Sequence, residues 1–209
     1  TGCLLDVIEL DRDLIAGLLA AFSIHKGFTL HSADALKFDF ASLIGNQEKL
    51  RVVGNLPYNI STPLIFKLLE NASIIQDMHF MLQKEVVERM VAQPGSKTYG
   101  RLSVMTQFYC QAQLLFSVSR HAFHPPPKVE SAIVQLIPNK QDKKTDAKIL
   151  AQVLHQAFSQ LRKKLFNSLK DWFSGEQMAE LDIDTAARPE TLDLAAFLRL
   201  AEAASKLHN

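Results

Sequence analysis

The sequence has few cysteines, no long hydrophobic run and no strong excess of charge. Two cysteines among 209 residues, Cys3 and Cys110, are too few for a disulfide framework, so a reducing cytoplasm is expected. No apolar run approaches the ~20 residues that cross a bilayer, so no membrane partner is expected. The start carries Asp6 and Glu9 early and is unlike a signal peptide. The net charge of +1 excludes a uniformly basic nucleic-acid coat but allows a local basic face.

What is present is the alternation of strands and helices that is typical of an α/β fold. Short apolar runs predict strands at 6–10, 28–31, 50–54, 77–83 and 130–138. Helical patterns lie between them, at 11–22, 61–71 and 101–112. In the second of these helices, Ser61 and Thr62 are N-cap candidates and Pro63 falls in the first turn. This order predicts a three-layer α/β fold around a mostly parallel sheet.

The composition changes after Pro138, where the charged segment "NKQDKKTD" begins. Beyond it the strand pattern stops and helices are predicted at 147–160, 162–173 and 189–204. The first of these has one apolar face, formed by Ile149, Val153, Leu154, Ala157 and Phe158. We therefore predict two domains, an α/β domain at 1–139 and a small all-helical domain at 140–209.

The first five residues, "TGCLL", are interpreted as the end of a helix. The strand that follows is separated from them by Asp6 alone, which is shorter than the ~2–6 residues of a normal connection. We therefore expect that the domain includes residues before Thr1, and that a loop is missing between Leu5 and Val7.

Polar side chains follow three of the predicted strands, where open α/β sheets bind their ligands. Glu9 ends the first strand, Asp34 follows the second and Asn55 follows the third. A carboxylate can accept hydrogen bonds from both hydroxyls of a ribose, and a second acid can accept from an adenine amine. Glu9 and Asp34 are alternatively solvated loop acids or helix N-caps. Their occurrence at neighbouring strand ends favours an adenosine-type cofactor.

The turn "NLPY" suits a second adenine, one whose N6 amine reacts. The side-chain carbonyl of Asn55 and the main-chain carbonyl of Leu56 or Pro57 can accept its two hydrogens, which aims the nitrogen lone pair at an electrophile. Proline stiffens the turn, and Tyr58 offers a stacking face to a base that has left its helix. The alternative is an ordinary strand-to-helix turn.

Several segments together resemble the bacterial 16S ribosomal RNA adenine N6,N6-dimethyltransferase family. They are "VIELDRDL", "SADALKFDF", "VVGNLPYNISTPLIFKLL", "DMHFMLQKEVVERMVAQPGSKTYGRLSV", "AFHPPPKVESAIVQLIP" and "AFSQLRKKLFNSL". The resemblance implies a Rossmann-like class I S-adenosylmethionine-dependent methyltransferase with a small C-terminal helical domain. It further implies dimethylation of N6 of two adjacent adenosines in the 3′-terminal hairpin of 16S ribosomal RNA, on a small-subunit (30S) assembly intermediate. A monomer that needs no metal is expected.

The resemblance also assigns roles to individual residues. The cofactor-binding positions are Glu9, Leu10, Asp34, Ala35 and Asn55. The catalytic turn is Asn55, Leu56, Pro57 and Tyr58, with Phe123 as a second aromatic against the target base. Two departures are visible: the family's N-terminal segment with its glycine motif is expected before Thr1, and "LRKK" stands where relatives often have two arginines followed by Lys-Thr.

Basic positions are candidates for RNA phosphates. Four are predicted to share one helix of the C-terminal domain, and two flank the active face: Arg162, Lys163, Lys164 and Lys170, then Arg101 and Lys128. The bland alternative is a solvated face, and the resemblance favours RNA.

Two other functions stay open. One is a different adenine N6 methyltransferase, acting on 23S ribosomal RNA or DNA. The other is a non-catalytic RNA-binding assembly or transcription factor. The triple proline and "DMHFMLQKEVV" favour the 16S enzyme, and the intact set of Glu9, Asp34, Asn55 and Tyr58 argues for catalysis.

Overall fold

The computed structural model describes residues 2–45, 49–57, 59–139, 145–159 and 164–207. The chain divides into two compact units. The first comprises Thr1–Val52 and Leu56–Gln76, and the second Val53–Asn55 and Asp77–Asn209. Within the described ranges, no helix combines the length and apolar character needed to cross a membrane.

The first unit is built on two parallel strands joined by a helix. Strand β1 (Leu5–Glu9) pairs with β2 (Phe28–Ser32), and helix α1 (Arg12–Phe22) connects them. The helix begins where the Asp11 carboxylate accepts the main-chain N–H of Asp13 at 2.9 Å. Because the strands are parallel, their carboxyl ends lie at the same edge, where the sequence predicts a ligand site.

The start of β1 corrects one expectation. Leu5 opens the strand opposite Phe28, and the pairing runs unbroken to Glu9, so the described residues of "TGCLL" are not helical. The loop expected between Leu5 and Val7 was inferred from a helix ending at Leu5, and it stays a prediction. The Leu5 N–H donates to the carbonyl of Gly27 at 2.7 Å. A side chain at Gly27 would meet the Cys3 carbonyl at 2.7 Å, so only glycine allows this close approach. Leu5 is in a strand because it pairs with Phe28, more than twenty residues away along the chain.

Helix α2 (Ser61–Glu70) also belongs to the first unit and follows the "NLPY" turn. Its apolar residues share a buried face, formed by Leu64, Ile65, Leu68 and Leu69. Pro63 lies in the first turn as predicted, but Ser61 and Thr62 are not the N-cap. Ile60 occupies that position without a side-chain hydrogen bond, because the helix begins at Ser61, one residue earlier than an N-cap at Ser61 would require.

The second sheet has four strands in the order β3-β4-β6-β5. They are β3 (Leu50–Asn55), β4 (Ile75–Gln83), β5 (Cys110–Val118) and β6 (Ser131–Pro138). Strand β6 is antiparallel to both β4 and β5. The expectation of a mostly parallel sheet is therefore wrong for this part of the fold, although the α/β class is confirmed.

The missed element is β5. The predicted helix at 101–112 ends early, since α4 (Arg101–Tyr109) gives way to the strand at Cys110. No glycine or proline marks the change, and the helical pattern runs directly into an alternating one, "CQAQLLF". The buried Cys110 thiol donates to the Thr106 carbonyl at 3.2 Å, across the junction.

Four helices pack with α4 around one apolar core: α5 (Ala147–Ala157), α6 (Leu165–Leu169), α7 (Gly175–Glu180) and α8 (Leu194–Leu207). Helix α3 (Lys84–Val91) contributes the buried side chains of Val87 and Met90. The predicted apolar face of α5 is confirmed, with Val153, Leu154 and Ala157 buried, whereas α7 was not predicted. The phenol of Tyr99 crosses this core and donates to the Leu192 carbonyl at 2.9 Å.

The predicted domain boundary at 139/140 adjoins residues 140–144, which lie outside the described residues. The division into an α/β domain and a helical domain there stays a prediction.

Candidate active site

Glu9, the last residue of β1, has two carboxylate oxygens in different situations. Its Oε1 accepts the main-chain N–H groups of Leu10 at 2.7 Å and Asp11 at 2.8 Å. Among the described residues, no hydrogen bond is made to Oε2. Glu9 is half-buried. The two bonds to Oε1 fix its side chain to the turn that follows, while Oε2 stays open at the strand end.

Asp34 lies two residues beyond the end of β2, and its two carboxylate oxygens also differ in their hydrogen bonding. Its Oδ1 accepts the N–H of Leu36 at 2.9 Å, and its main-chain carbonyl accepts those of Lys37 and Phe38, each at 2.9 Å. Its other carboxylate oxygen has no hydrogen-bond partner in the described part of the chain. Both acids therefore act as local caps and, in addition, each presents a free acceptor.

The main chain joins the two strand ends directly. The N–H of Ala33 donates to the carbonyl of Glu9 at 3.0 Å, and Glu9 itself pairs with Ser32. The structure thus brings four of the predicted cofactor residues to one edge of the first unit: Glu9, Leu10, Asp34 and Ala35. Leu10 is exposed and Ala35 is half-buried.

Helix α2 contributes a contact to this edge that the sequence analysis missed. The Lys67 ammonium donates to the Leu36 carbonyl at 2.8 Å and lies 5.7 Å from the centre of the Phe40 ring. The available signal was a single lysine inside an otherwise apolar run, "PLIFKLL". A cation at such a place needs a polar partner, because burial without one is costly.

The "NLPY" turn starts where β3 ends. Asn55 is exposed, and its side chain forms no hydrogen bond with a described residue. Leu56 is buried, and the Pro57 carbonyl accepts the Ile60 N–H at 3.1 Å. Nothing in the described chain donates to the Leu56 carbonyl. Tyr58 lies outside the described residues, so its stacking role stays a prediction.

The aromatic and basic candidates of the second unit lie on the surface. Phe123 is half-buried after the short 3₁₀ helix Arg120–Ala122, and its N–H donates to the Arg120 carbonyl at 3.3 Å. Arg101, the first residue of α4, and Lys128 are exposed, and neither forms an ion pair with a described residue. That these residues meet Glu9 and Asp34 in one site stays a prediction.

The basic set of the C-terminal region is corrected in part. Lys164 and Lys170 do not lie within one helix: they flank the five residues of α6 as its N-cap and C-cap, and both are exposed. The helix is short because Leu165 is tied to the Ala187 carbonyl at 2.8 Å and a turn follows Leu169. Arg162 and Lys163 lie outside the described residues.

Known proteins resemble the chain over most of its length. The family model described as ribosomal RNA adenine dimethylase matches residues 5–206. A Pseudomonas aeruginosa protein named ribosomal RNA small subunit methyltransferase A is 56% identical over 209 residues, which cover 99% of this chain and 78% of the relative. A protein of the same name from Acinetobacter baylyi is 52% identical, over 95% of this chain and 73% of the relative.

Two solved structures are similar in fold. The crystal structure of a dimethyladenosine transferase from Plasmodium falciparum has a TM-score of 0.78 at 28% identity, covering 94% of this chain and 80% of that one. The 23S rRNA methyltransferase ErmE has a TM-score of 0.71 at 22% identity, covering 97% and 82%. The second likeness shows the fold alone.

Proposed function

Since the chain belongs to the ribosomal RNA adenine dimethylase family, we propose that it dimethylates N6 of two adjacent adenosines in the 3′-terminal hairpin of 16S ribosomal RNA. Relatives that share more than half of its residues are named for the small subunit, which supports that substrate over the large subunit. The enzyme would work in the cytoplasm, as a monomer, on a small-subunit assembly intermediate.

One observation carries the cofactor side of this proposal: two half-buried acids at neighbouring strand ends, each with one oxygen bound locally and one open. These two acceptors fit the adenosine part of S-adenosylmethionine. The open oxygen of Glu9, with Leu10 beside it, would accept from the ribose hydroxyls. The open oxygen of Asp34, with Ala35, would accept from the adenine amine. When bound, S-adenosylmethionine would supply an electrophilic methyl group.

The target amine would be held by two carbonyl oxygens of the "NLPY" turn. The side-chain oxygen of Asn55 is the first, since it has no partner among the described residues. The Leu56 carbonyl is the better second, because the Pro57 carbonyl already accepts the Ile60 N–H. Holding the amine in one orientation makes the reaction effectively unimolecular. After the first methylation a single N–H remains, so the second transfer uses one of these acceptors only.

The target ring would stack between aromatic side chains. Tyr58 lies two residues after Leu56 in the chain, and Phe123 belongs to the proline-rich connection before β6. Base–aromatic stacking is worth about 1–3 kcal/mol per base, which helps to offset the cost of removing the base from its helix.

Exposed cations would position the RNA by its phosphates, without reading its sequence. The proposed set is Arg101, Lys128, Arg162, Lys163, Lys164 and Lys170. Those that the structure describes are solvent-exposed and form no ion pair with a described residue, as phosphate binding requires.

The test is a methyl-transfer assay with radiolabelled S-adenosylmethionine and three acceptors: undermethylated small subunits, large subunits and DNA. Label on small-subunit RNA alone is the expected result. Label on the large subunit or on DNA alone would support the other adenine N6 methyltransferases. No label on any acceptor, with RNA binding retained, would support a non-catalytic assembly factor.

A further inference from the structure

The segment that carries Asp34 runs from Ala33 to Asp39, between β2 and a short 3₁₀ helix, Phe40–Leu43. Its internal hydrogen bonds converge on Asp34, whose carboxylate and carbonyl accept the N–H groups of Leu36, Lys37 and Phe38. These bonds set the local shape of the segment. They do not fix its place in the first unit.

Besides the bonds by which Asp39 caps the adjoining 3₁₀ helix, two hydrogen bonds join this segment to other elements of the described structure. At one end, the Ala33 N–H donates to the Glu9 carbonyl at 3.0 Å. In the middle, the Leu36 carbonyl accepts from the Lys67 ammonium of α2 at 2.8 Å. Leu36 is also the residue whose N–H is held by the Asp34 carboxylate. One residue, Leu36, therefore links the Asp34 carboxylate through its N–H to Lys67 through its carbonyl.

Contacts with Phe40 and the buried face of α2 hold Lys67 in place beside the Leu36 carbonyl. It is half-buried, its ammonium lies 5.7 Å from the Phe40 ring centre, and its neighbours Leu64 and Leu68 anchor α2 in the core. A charge-assisted hydrogen bond is stronger and shorter than a neutral one, and the ring adds cation–π attraction. An apolar side chain would pack on Phe40 without holding the Leu36 carbonyl.

We propose that Lys67 is a positioning residue for the cofactor: it fixes the Leu36 carbonyl and thereby the Asp34 carboxylate that receives the adenine amine. Lys67 sits in the helix that begins three residues after Tyr58, so the same helix supports the cofactor segment and follows the target-base turn. The proposal rests on the proposed cofactor role of Asp34.

The test compares Lys67→Met, which keeps the apolar stem, with Lys67→Arg, which keeps a donor. Dissociation constants for S-adenosylhomocysteine are measured by calorimetry, and KM is measured separately for cofactor and RNA. Loss of one charge-assisted bond that acts through Asp34 should weaken cofactor binding about threefold to tenfold in Lys67→Met. Lys67→Arg should restore most of it, and KM for RNA should stay unchanged. Lys37→Met, an exposed lysine of the same segment, is the matched control and should bind normally.

Asp34→Asn separates failure of this inference from failure of the proposed function. Weaker binding in Asp34→Asn but normal binding in Lys67→Met would overturn the role of Lys67 alone. Normal binding in Asp34→Asn would overturn the role of Asp34 and this inference with it. In the double variant, the effect of Lys67→Met should shrink, because both changes act on one contact. Independent effects of the two changes, or an equal rise of KM for RNA, would indicate a general structural role and contradict the proposal. If Lys67→Met does not fold, Lys67→Gln replaces it, with the same outcomes.

Discussion

Replacement of Glu9 by glutamine tests whether one carboxylate oxygen caps the turn while the other binds the cofactor. Oε1 accepts from the N–H groups of Leu10 and Asp11, and Oε2 has no partner among the described residues. Glutamine keeps one carbonyl oxygen for the two N–H groups. It places a donor where the proposed site needs an acceptor for the ribose hydroxyls. We therefore expect normal thermal stability and weak cofactor binding.

The size of the effect follows from the bonds that are lost. A hydrogen bond to a charged group contributes about 1.5–3 kcal/mol, so losing one raises the dissociation constant about 10- to 150-fold. Glu9→Ala also removes the oxygen that glutamine keeps for the main chain. It leaves two main-chain N–H groups without their acceptor, and since they are exposed to water the expected cost is about 1 kcal/mol of unfolding free energy.

The assay is calorimetry with S-adenosylhomocysteine beside thermal unfolding. Asp13→Asn is the control for affinity, because it removes an exposed acid from the first turn of α1 and should leave the dissociation constant unchanged. We expect the two quantities to separate: both Glu9 variants lose affinity for the cofactor, but only Glu9→Ala loses stability. Normal affinity in Glu9→Gln would refute the ribose role, and equal destabilisation of both variants would refute the capping role.

Three further predictions concern Phe123, Tyr99 and the two cysteines. Phe123→Ala should lower transfer to RNA by the loss of about 1–3 kcal/mol of stacking, while calorimetry shows an unchanged cofactor affinity; an equal loss of cofactor affinity would argue against a contact with the target base. Tyr99→Phe should cost about 1 kcal/mol of unfolding free energy at neutral pH, because the Leu192 carbonyl loses its donor. Burial, and secondarily Asp193, raises the pKa of Tyr99 from 10.0 to about 12. Between these values the unfolded chain ionises first, so urea denaturation should show wild-type stability falling more steeply with rising pH than that of Tyr99→Phe; parallel curves would contradict this. Burial also raises the pKa of the Cys110 thiol to about 12, so at about pH 8 a thiol reagent should label exposed Cys3 quickly and Cys110 only upon unfolding; rapid labelling of both would refute the burial argument.

The sequence predicted the parts of the fold that depend on local patterns. Apolar runs and helical periodicity gave most strands and helices, and the placement of Glu9 and Asp34 followed because parallel strands end at one edge. The strand at Cys110–Val118 was missed because it continues a helix without any breaker residue. The start at Leu5 was misassigned because only its pairing with Phe28 identifies it as a strand.

The finer features of the site depend on contacts between distant residues. No spacing rule predicts that Lys67 reaches the carbonyl of Leu36, thirty-one positions away. The turn geometry also determines that a single oxygen of Glu9 accepts both main-chain N–H groups and leaves the other oxygen open. Residue types at strand ends thus indicate the chemistry, and the folded main chain decides which atoms remain open for it.

The central claim is that Asn55 holds the amine of an adenosine in small-subunit RNA while two methyl groups are added. Mass spectrometry of nucleosides from undermethylated small subunits, incubated with enzyme and S-adenosylmethionine, tests it directly. N6,N6-dimethyladenosine should appear in 16S ribosomal RNA with wild type and with the exposed-residue control Asn59→Ala. With Asn55→Ala we expect a loss of at least about a hundredfold in rate, the magnitude found when one preorganised polar group is removed from an active site. Undiminished dimethyladenosine from Asn55→Ala, or none from wild type, would contradict it.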